Sequence, residues 1–484
     1  MRALSRNVRN YTASVLDGAL SLFVSLLSFV AVENSYGREG LGFFSFVFAV
    51  YVLGSYLAEL GVSNYVERAV PLLASRPEEE ERLLTDAVHT SLTLSFLGGV
   101  VLLGAFFWPF RLTHISVDLA TLVLLCLALP VHNYNRLRVA ALHAHGFHET
   151  AARLRLVKRL VFLGAVLLMV AGGTPLSYLA ACFLIPETVI LFLYTRATGL
   201  PSIGRPFVSL ERFWGTCKQG QRTLFTDDAL EVILYIDFFV LGLFVSAWEE
   251  GVYAKASVLA RLFLVVPMSM EPIFRQRYCT LAAEGRGAEM SESVKRVTAR
   301  FFFWNSVFLI YFLLYYEELI TFFFPERAQI QESLAIFQEL AVGLLFYASV
   351  AAVEPVYEAT DRIEALRRIV VRILVLNLAL NLYLVPYAGA VGAATASAVS
   401  MVAFFLMFGT GPNPLLKLAR MKYLCAGGGT YLCYRLLHSV GAPWWLALPG
   451  VPLSMWLLLS LSGLFGDGPG LEKEEESFDQ PFLQ

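Results

Sequence analysis

Long apolar runs alternate with short polar breaks along almost the whole chain. A helix crossing the ~30 Å hydrocarbon core of a bilayer needs about 20 apolar residues. That window predicts fourteen spans, at 11–33, 41–63, 88–110, 118–141, 157–173, 175–195, 224–246, 253–275, 301–321, 335–354, 367–386, 388–409, 420–438 and 444–465. Two of the breaks, Gly172-Gly173-Thr174-Pro175 and Pro386-Tyr387-Ala388-Gly389, leave room only for tight turns and predict antiparallel helix hairpins.

Composition agrees with that pattern. The 484 residues are 57% hydrophobic and 16% charged, where a soluble domain carries about 25% charged residues. An all-α integral membrane protein is predicted. With the N-terminus placed inside, the inside segments hold 31 of the 37 Lys and Arg residues. The outside segments hold Arg38, Arg111, Lys255, Arg327 and Arg435, and Arg261 remains within a span. By the positive-inside rule both termini are expected to be cytoplasmic. The first apolar run is span-length and lacks a cleavage site, so it reads as a retained helix. The six cysteines are scattered without a CxxC pair, which excludes a disulfide framework.

Arg38-Glu39-Gly40-Leu41-Gly42 and Glu249-Glu250-Gly251-Val252-Tyr253 each open an apolar segment after a polar turn, 211 residues apart at Gly40 and Gly251. This echo predicts a duplication: an N-terminal six-helix bundle over 1–200, a cytoplasmic linker over 201–223 and a second six-helix bundle over 224–410. Two extra spans over 411–466 and an acidic cytoplasmic tail over 467–484 follow. Paired bundles with a site at their interface are a common design for alternating access. No loop is long enough for a soluble domain.

Three stretches resemble a known family. Tyr36-Gly37-Arg38-Glu39-Gly40-Leu41-Gly42-Phe43-Phe44-Ser45 resembles the first-turn signature of bacterial polysaccharide flippases, with Leu57-Ala58-Glu59-Leu60-Gly61-Val62 closing the next span. Glu250-Gly251-Val252-Tyr253-Ala254-Lys255-Ala256 is similar to a second family motif. Asn381-Leu382-Tyr383-Leu384-Val385-Pro386 through Gly392-Ala393-Ala394-Thr395-Ala396 is similar to a third. The resemblance runs from about residue 5 to 410. It points to the Wzx-like polysaccharide transporter branch of the multidrug/oligosaccharidyl-lipid/polysaccharide (MOP) exporter superfamily, which also holds the MATE-like and MurJ-like proteins. The resemblance implies a flippase in the bacterial inner membrane. It would move a polyprenyl-diphosphate-linked oligosaccharide from the cytoplasmic to the outer leaflet for surface polysaccharide biosynthesis. Membrane lipids, H+ or Na+ as coupling ion, and polysaccharide polymerase machinery are the implied partners. Nucleic acid and cofactors are not expected. The sequence departs from the family at Ala388-Gly389-Ala390, where a bulkier turn is usual, and in having fourteen spans where related drug exporters have twelve.

An anionic, polar head can cross a bilayer only through a hydrated cleft with cationic or hydrogen-bonding groups. Arg261, inside a span and six residues before Pro267, is the first candidate for substrate binding, with Lys255. The lipid II flippase of the superfamily has an arginine near a proline in the equivalent span. Asp237 lies at a depth matching Arg261, and an Asp237–Arg261 pair reads either as a gate or as a neutralised core contact. Tyr51 and Ser55 share a face of span two, and Asp17, Ser21, Ser25 and Ser28 share one of span one. Both stripes read as cavity lining or as small-residue packing. Asp17, Glu59, Glu187 and Glu354 are candidates for ion coupling, with Glu59 alternatively pairing Arg68. Asn377 and Asn381 share a face of span eleven and could bind sugar hydroxyls; the resemblance, whose general pattern includes the asparagine, implies a structural role instead.

His143, His145 and His148 do not form one ligand set at helical spacing, so no metal is predicted. The basic run Arg153, Arg155, Lys158 and Arg159 reads as a positive-inside signal. A membrane-embedded polymerase or ligase would need a sizeable external loop with catalytic residues. None is predicted, which argues against an enzyme. A cation-coupled multidrug or small-molecule exporter of the same fold is the alternative function.

Overall fold

The computed structural model describes residues 2–73, 75–107, 114–197, 209–224, 229–324, 330–351, 353–410, 420–440, 451–456 and 460, with side chains from Leu20 onward except at 106–107, 148, 195–197, 229–231, 268–269, 271–272, 409–410, 420–421 and 440. These residues are helical and contain no strand. In chain order the helices are α1 (Arg2–Glu59), α2 (Val62–Ala69), α3 (Pro77–Phe107), α4 (Leu119–Ala144), α5 (His148–Ala171), α6 (Ala181–Ala197), α7 (Leu210–Thr223) and α8 (Ala229–Phe244). There follow α9 (Ala247–Ala260), α10 (Val265–Ala283), α11 (Gly287–Leu314), α12 (Tyr316–Phe323), α13 (Ile330–Ser349), α14 (Glu354–Ala359), α15 (Ile363–Thr410) and α16 (Arg420–Val440).

Six stretches among the described residues are long and apolar enough to cross a bilayer: Leu20–Glu59, Pro77–Ala105, Leu176–Tyr194, Gly287–Leu314, Ile330–Ala359 and Ile363–Phe408. The chain is a multi-pass membrane protein. Two of these stretches fold back on themselves. Gly37 breaks α1 at φ 68°, and the rings of Phe29 and Phe44 lie 6.2 Å apart, where a straight helix would separate them by about 22 Å. Gly389 breaks α15 at φ 53°. Asn377 Nδ2 then reaches Ser397 Oγ at 3.1 Å, against about 30 Å along a straight helix. Both left-handed turns suit glycine, which has no Cβ to clash. Of the last predicted span only residues 451–456 and 460 are described, and the acidic tail lies outside the described residues.

The chain divides into two compact units. The larger comprises Leu20–Val258 and Leu366–Ser397; the smaller comprises Met1–Ala19, Leu259–Ala365 and Ala398–Gln484.

In the larger unit Val62 and Val66 of α2 and Val70 just after it pack on Leu84, Ala87 and Val88 of α3 and on Tyr134, Leu137 and Ala141 of α4. The predicted linker carries an ordered helix, α7, held against the turn that ends α1. Thr223 Oγ1 donates to the Gly61 carbonyl at 3.0 Å, Asn64 Nδ2 donates to the Thr223 carbonyl at 3.3 Å, and Arg212 pairs with Asp86 at 2.7 Å. Its N-terminus is capped by the Ser209 hydroxyl, which accepts from the Arg212 N–H.

The smaller unit is held by aromatic contacts. Phe263 meets Phe312 at 5.0 Å, Phe337 meets Tyr316 at 4.7 Å, and Phe302 meets Tyr423 of α16 at 5.2 Å. The predicted cytoplasmic loop 276–300 is almost entirely helical, because α10 and α11 continue past their apolar cores to a turn at Glu284–Arg286.

Candidate functional site

All three motif stretches meet in the larger unit. A Cβ on Gly251 would strike the backbone carbonyl of Arg38, and one on Gly42 would strike that of Ala247. The two halves of the sequence echo therefore touch, backbone to backbone, at their own glycines. The third stretch joins them through Glu249, whose Oε1 accepts from the Ala390 N–H at 3.0 Å. A carboxylate there satisfies a free N–H at the start of the helical segment after Gly389. Gly251→Ala is expected to destabilise the protein by about 1–3 kcal/mol, as overpacking does, because the obstacle is main chain. Thermal unfolding in detergent would measure it, with Gly104→Ala, where a Cβ meets open space, as the silent control.

Asp237, in the same unit, is fully buried. Its carboxylate accepts from Asn381 Nδ2 at 2.9 Å, from Ser397 Oγ at 2.6 Å and from the Tyr253 hydroxyl. Asn377 Nδ2 donates in turn to Ser397 Oγ. The donors come from α9 and from both arms of the α15 hairpin. Asn381 holds this carboxylate directly and Asn377 holds it through Ser397. Asp237→Ala is expected to cost about 1–3 kcal/mol for each donor left unsatisfied. Asp237→Asn should recover part of that, read by the same unfolding assay.

A second buried centre forms around Glu187, also fully buried. Oε1 receives Lys158 Nζ at 2.5 Å, His132 Nδ1 at 2.6 Å and the Tyr51 hydroxyl at 3.0 Å. Oε2 accepts from Asn135 Nδ2 at 2.8 Å. Four helices contribute: α1, α4, α5 and α6. Pro186 inside α6 removes the N–H that would bond the carbonyl of residue 182, and the kink-prone turn it creates carries Glu187. Lys158 is the outward member, with about a third of its side chain exposed. The centre therefore holds a carboxylate, an amine and an imidazole within one hydrogen-bonded cluster, an arrangement able to take up, hold or pass a proton.

A row of rings links the two centres. Tyr51 stacks on Phe183 at 5.0 Å and Phe183 on Phe48 at 5.4 Å. Phe48 then meets Tyr235 at 5.3 Å, Tyr235 meets Phe238 at 6.4 Å, and Phe238 meets Tyr253 at 5.0 Å. Rigid rings in contact fix the spacing of the helices that carry Glu187 and Asp237.

Lys255, counted from sequence in an external segment, sits within α9, 4% exposed, in an ion pair with the equally enclosed Glu33. Glu59 pairs with Arg136 at 3.1 Å and accepts from the Ser63 N–H at 2.8 Å, capping α2. Its cation is Arg136, rather than the Arg68 weighed from sequence. The Ser55, Ser25 and Ser28 hydroxyls donate to carbonyls of their own helix, the usual fate of serine inside a helix. Arg261 opens the tight turn Arg261–Leu264 between α9 and α10. Pro267 follows it and cannot donate to the Phe263 carbonyl. Glu354 opens α14 beside Pro355. Asp17 lies outside the residues whose side chains are described.

Sequence reasoning missed Lys158, His132 and Asn135. The signal present was His132 and Asn135 three residues apart inside an apolar span, a polar pair on one helix face. His143 pairs with Glu67 at 3.4 Å and His145 with Glu80 at 2.7 Å. Among the described residues no group of His, Cys, Asp and Glu is arranged to hold a metal ion.

The chain matches no protein-family model and none of the curated proteins. Solved structures match its fold. Lipid II flippase MurJ in an inward closed conformation aligns over 95% of this chain and 98% of its own, with TM-score 0.69 and 15% identity. An inward-facing multidrug resistance MATE family transporter of the MOP superfamily aligns over 80% of this chain and 93% of its own, with TM-score 0.61 and 16% identity. A MOP superfamily transporter from Pyrococcus furiosus aligns over 83% and 94%, with TM-score 0.57 and 15% identity. The chain shares the fold of these transporters.

Proposed function

We propose that this protein is a Wzx-like flippase. In this reading it carries a polyprenyl-diphosphate-linked oligosaccharide from the cytoplasmic to the outer leaflet of a bacterial inner membrane, by alternating access through a polar, cationic cavity. The observation that carries the reading is coverage. The likeness to the lipid II flippase takes in 95% of the chain, against 80% and 83% for the MATE and Pyrococcus furiosus structures. The two spans after residue 411 belong to this reading, as do fourteen spans in all and cytoplasmic termini. No bond chemistry is required of the protein. Arg261 serves the diphosphate, since an arginine at membrane depth faces a partner or water. Asp237 and Tyr51 belong to the buried polar frame of the larger unit, and Glu187 with Lys158 is the coupling group for H+ or Na+.

The test uses purified protein in vesicles with a fluorescent polyprenyl-diphosphate oligosaccharide and a membrane-impermeant quencher. Flipping brings the lumenal label into the quenched pool; an inactive protein leaves it protected. A second reading, cation-coupled export of small molecules, is supported by the likeness to the multidrug resistance MATE transporter at TM-score 0.61; the Glu187 cluster serves as the coupling group in either reading. Under that reading the label stays protected, while an imposed proton or sodium gradient drives accumulation of cationic dyes.

A further inference from the structure

The helical hairpin of α10 and α11 in the smaller unit encloses a cavity of about 570 Å³. Its wall on α11 consists of two neighbouring rows at four-residue spacing. One row reads Arg296, Arg300, Trp304, Phe308, Phe312; the other reads Ser293, Val297, Phe301, Asn305. The opposing wall on α10 ends in Phe274 and Arg277. Ring contacts between Phe263 and Phe312 and between Phe274 and Phe301 set the two walls face to face.

The lining is graded in polarity. Arg277 lies six residues before the end of α10 and Arg296 nine after the start of α11, so both fall within about 15 Å of the interhelical turn. Arg300 is one helical turn further in. The three arginines share one end of the cavity, and aromatic and aliphatic side chains fill the other. No carboxylate is among the described lining residues. Trp304 and Phe308 are about half exposed, as side chains facing lipid would be. A basic end at the membrane interface and an apolar slot running inward complement an anionic headgroup with an acyl chain.

We propose that this cavity binds an anionic diacyl phospholipid of the surrounding membrane, its phosphate on Arg277, Arg296 and Arg300 and one acyl chain along Trp304, Phe308 and Phe312. The proposal does not depend on the transported substrate. A resident phospholipid fits better than the longer polyprenyl diphosphate because the cavity lies within one hairpin and has the volume of a small-ligand site, roughly 300–1,000 Å³.

Trp304 is a built-in reporter. The full-length protein is placed in vesicles containing phosphatidylglycerol or phosphatidylcholine with brominated acyl chains, at equal mole fraction. The Trp304 signal is the difference from Trp304→Phe. Quenching by brominated phosphatidylglycerol is expected with an apparent affinity on the order of tenfold above that of phosphatidylcholine. Arg277→Gln/Arg296→Gln/Arg300→Gln should erase the preference, and the triple lysine variant should keep most of it, which separates lost charge from lost fold. Equal quenching by the two lipids overturns the proposal. So does displacement of the brominated lipid by stoichiometric polyprenyl diphosphate, which would make the cavity a substrate site.

Discussion

Lys158→Met is expected to destabilise the protein by about 3 kcal/mol, the lower end of the range for breaking a buried ion pair, and to abolish coupled transport. The physical reason lies in Glu187. Its carboxylate is fully enclosed, and Lys158 at 2.5 Å is its nearest cation. The contacts from Asn135, Tyr51 and His132 remain in the variant, but the first two carry no charge and the imidazole carries one only when protonated. The estimate is at the low end because Lys158 is one-third exposed and its attraction is partly screened by solvent. Adding Glu187→Gln to Lys158→Met should return most of the lost stability, since the amide is neutral and still accepts hydrogen bonds. The double variant should fold and remain inactive. Unfolding in detergent and gradient-driven uptake measure the two effects. An active double variant would remove Glu187 from the coupling role.

Lys255→Met is expected to be more damaging to the fold, by about 3–5 kcal/mol, with little direct effect on substrate. Lys255 and Glu33 are both less than 7% exposed and are paired with each other. Removing the lysine strands a carboxylate between α1 and α9. Removing both charges, as Glu33→Leu/Lys255→Met, should bring stability back to within about 1 kcal/mol of the native protein or above it. Transport should survive in the double variant, because a cation this enclosed pins two helices. A folded but inactive double variant would assign Lys255 to the substrate.

The turns were the most legible part of the fold. Gly37 and Gly389 fall where polar breaks interrupt apolar runs, and both adopt left-handed φ. The echoed glycines were legible as a repeat, but their mutual contact through Arg38 and Ala247 was not, since spacing carries no information on which surfaces meet. Hydropathy sets where the bilayer lies and does not mark where a helix ends. For that reason α7 and the extensions of α10 and α11 look like loops in the sequence. Charged residues such as Lys295 and Arg296 leave the bilayer yet remain good helix formers. Among candidate residues, Glu187 and Asp237 stood out as carboxylates inside spans. Lys158 did not, because it follows Arg153 and Arg155 and blends into the positive-inside signal. Its partner is supplied by a different helix, and pairings between helices are invisible to a single sequence.

The central claim is movement of a lipid-linked glycan across the membrane, and leaflet accessibility in cells tests it most directly. Cells depleted of the protein are treated with an impermeant glycan label, and the exposed fraction is compared with the total lipid-linked pool. The account predicts a pool that accumulates yet stays hidden from the label, with exposure restored by the intact protein and not by a stably folded Arg261→Ala. An exposed fraction unchanged by depletion would contradict it.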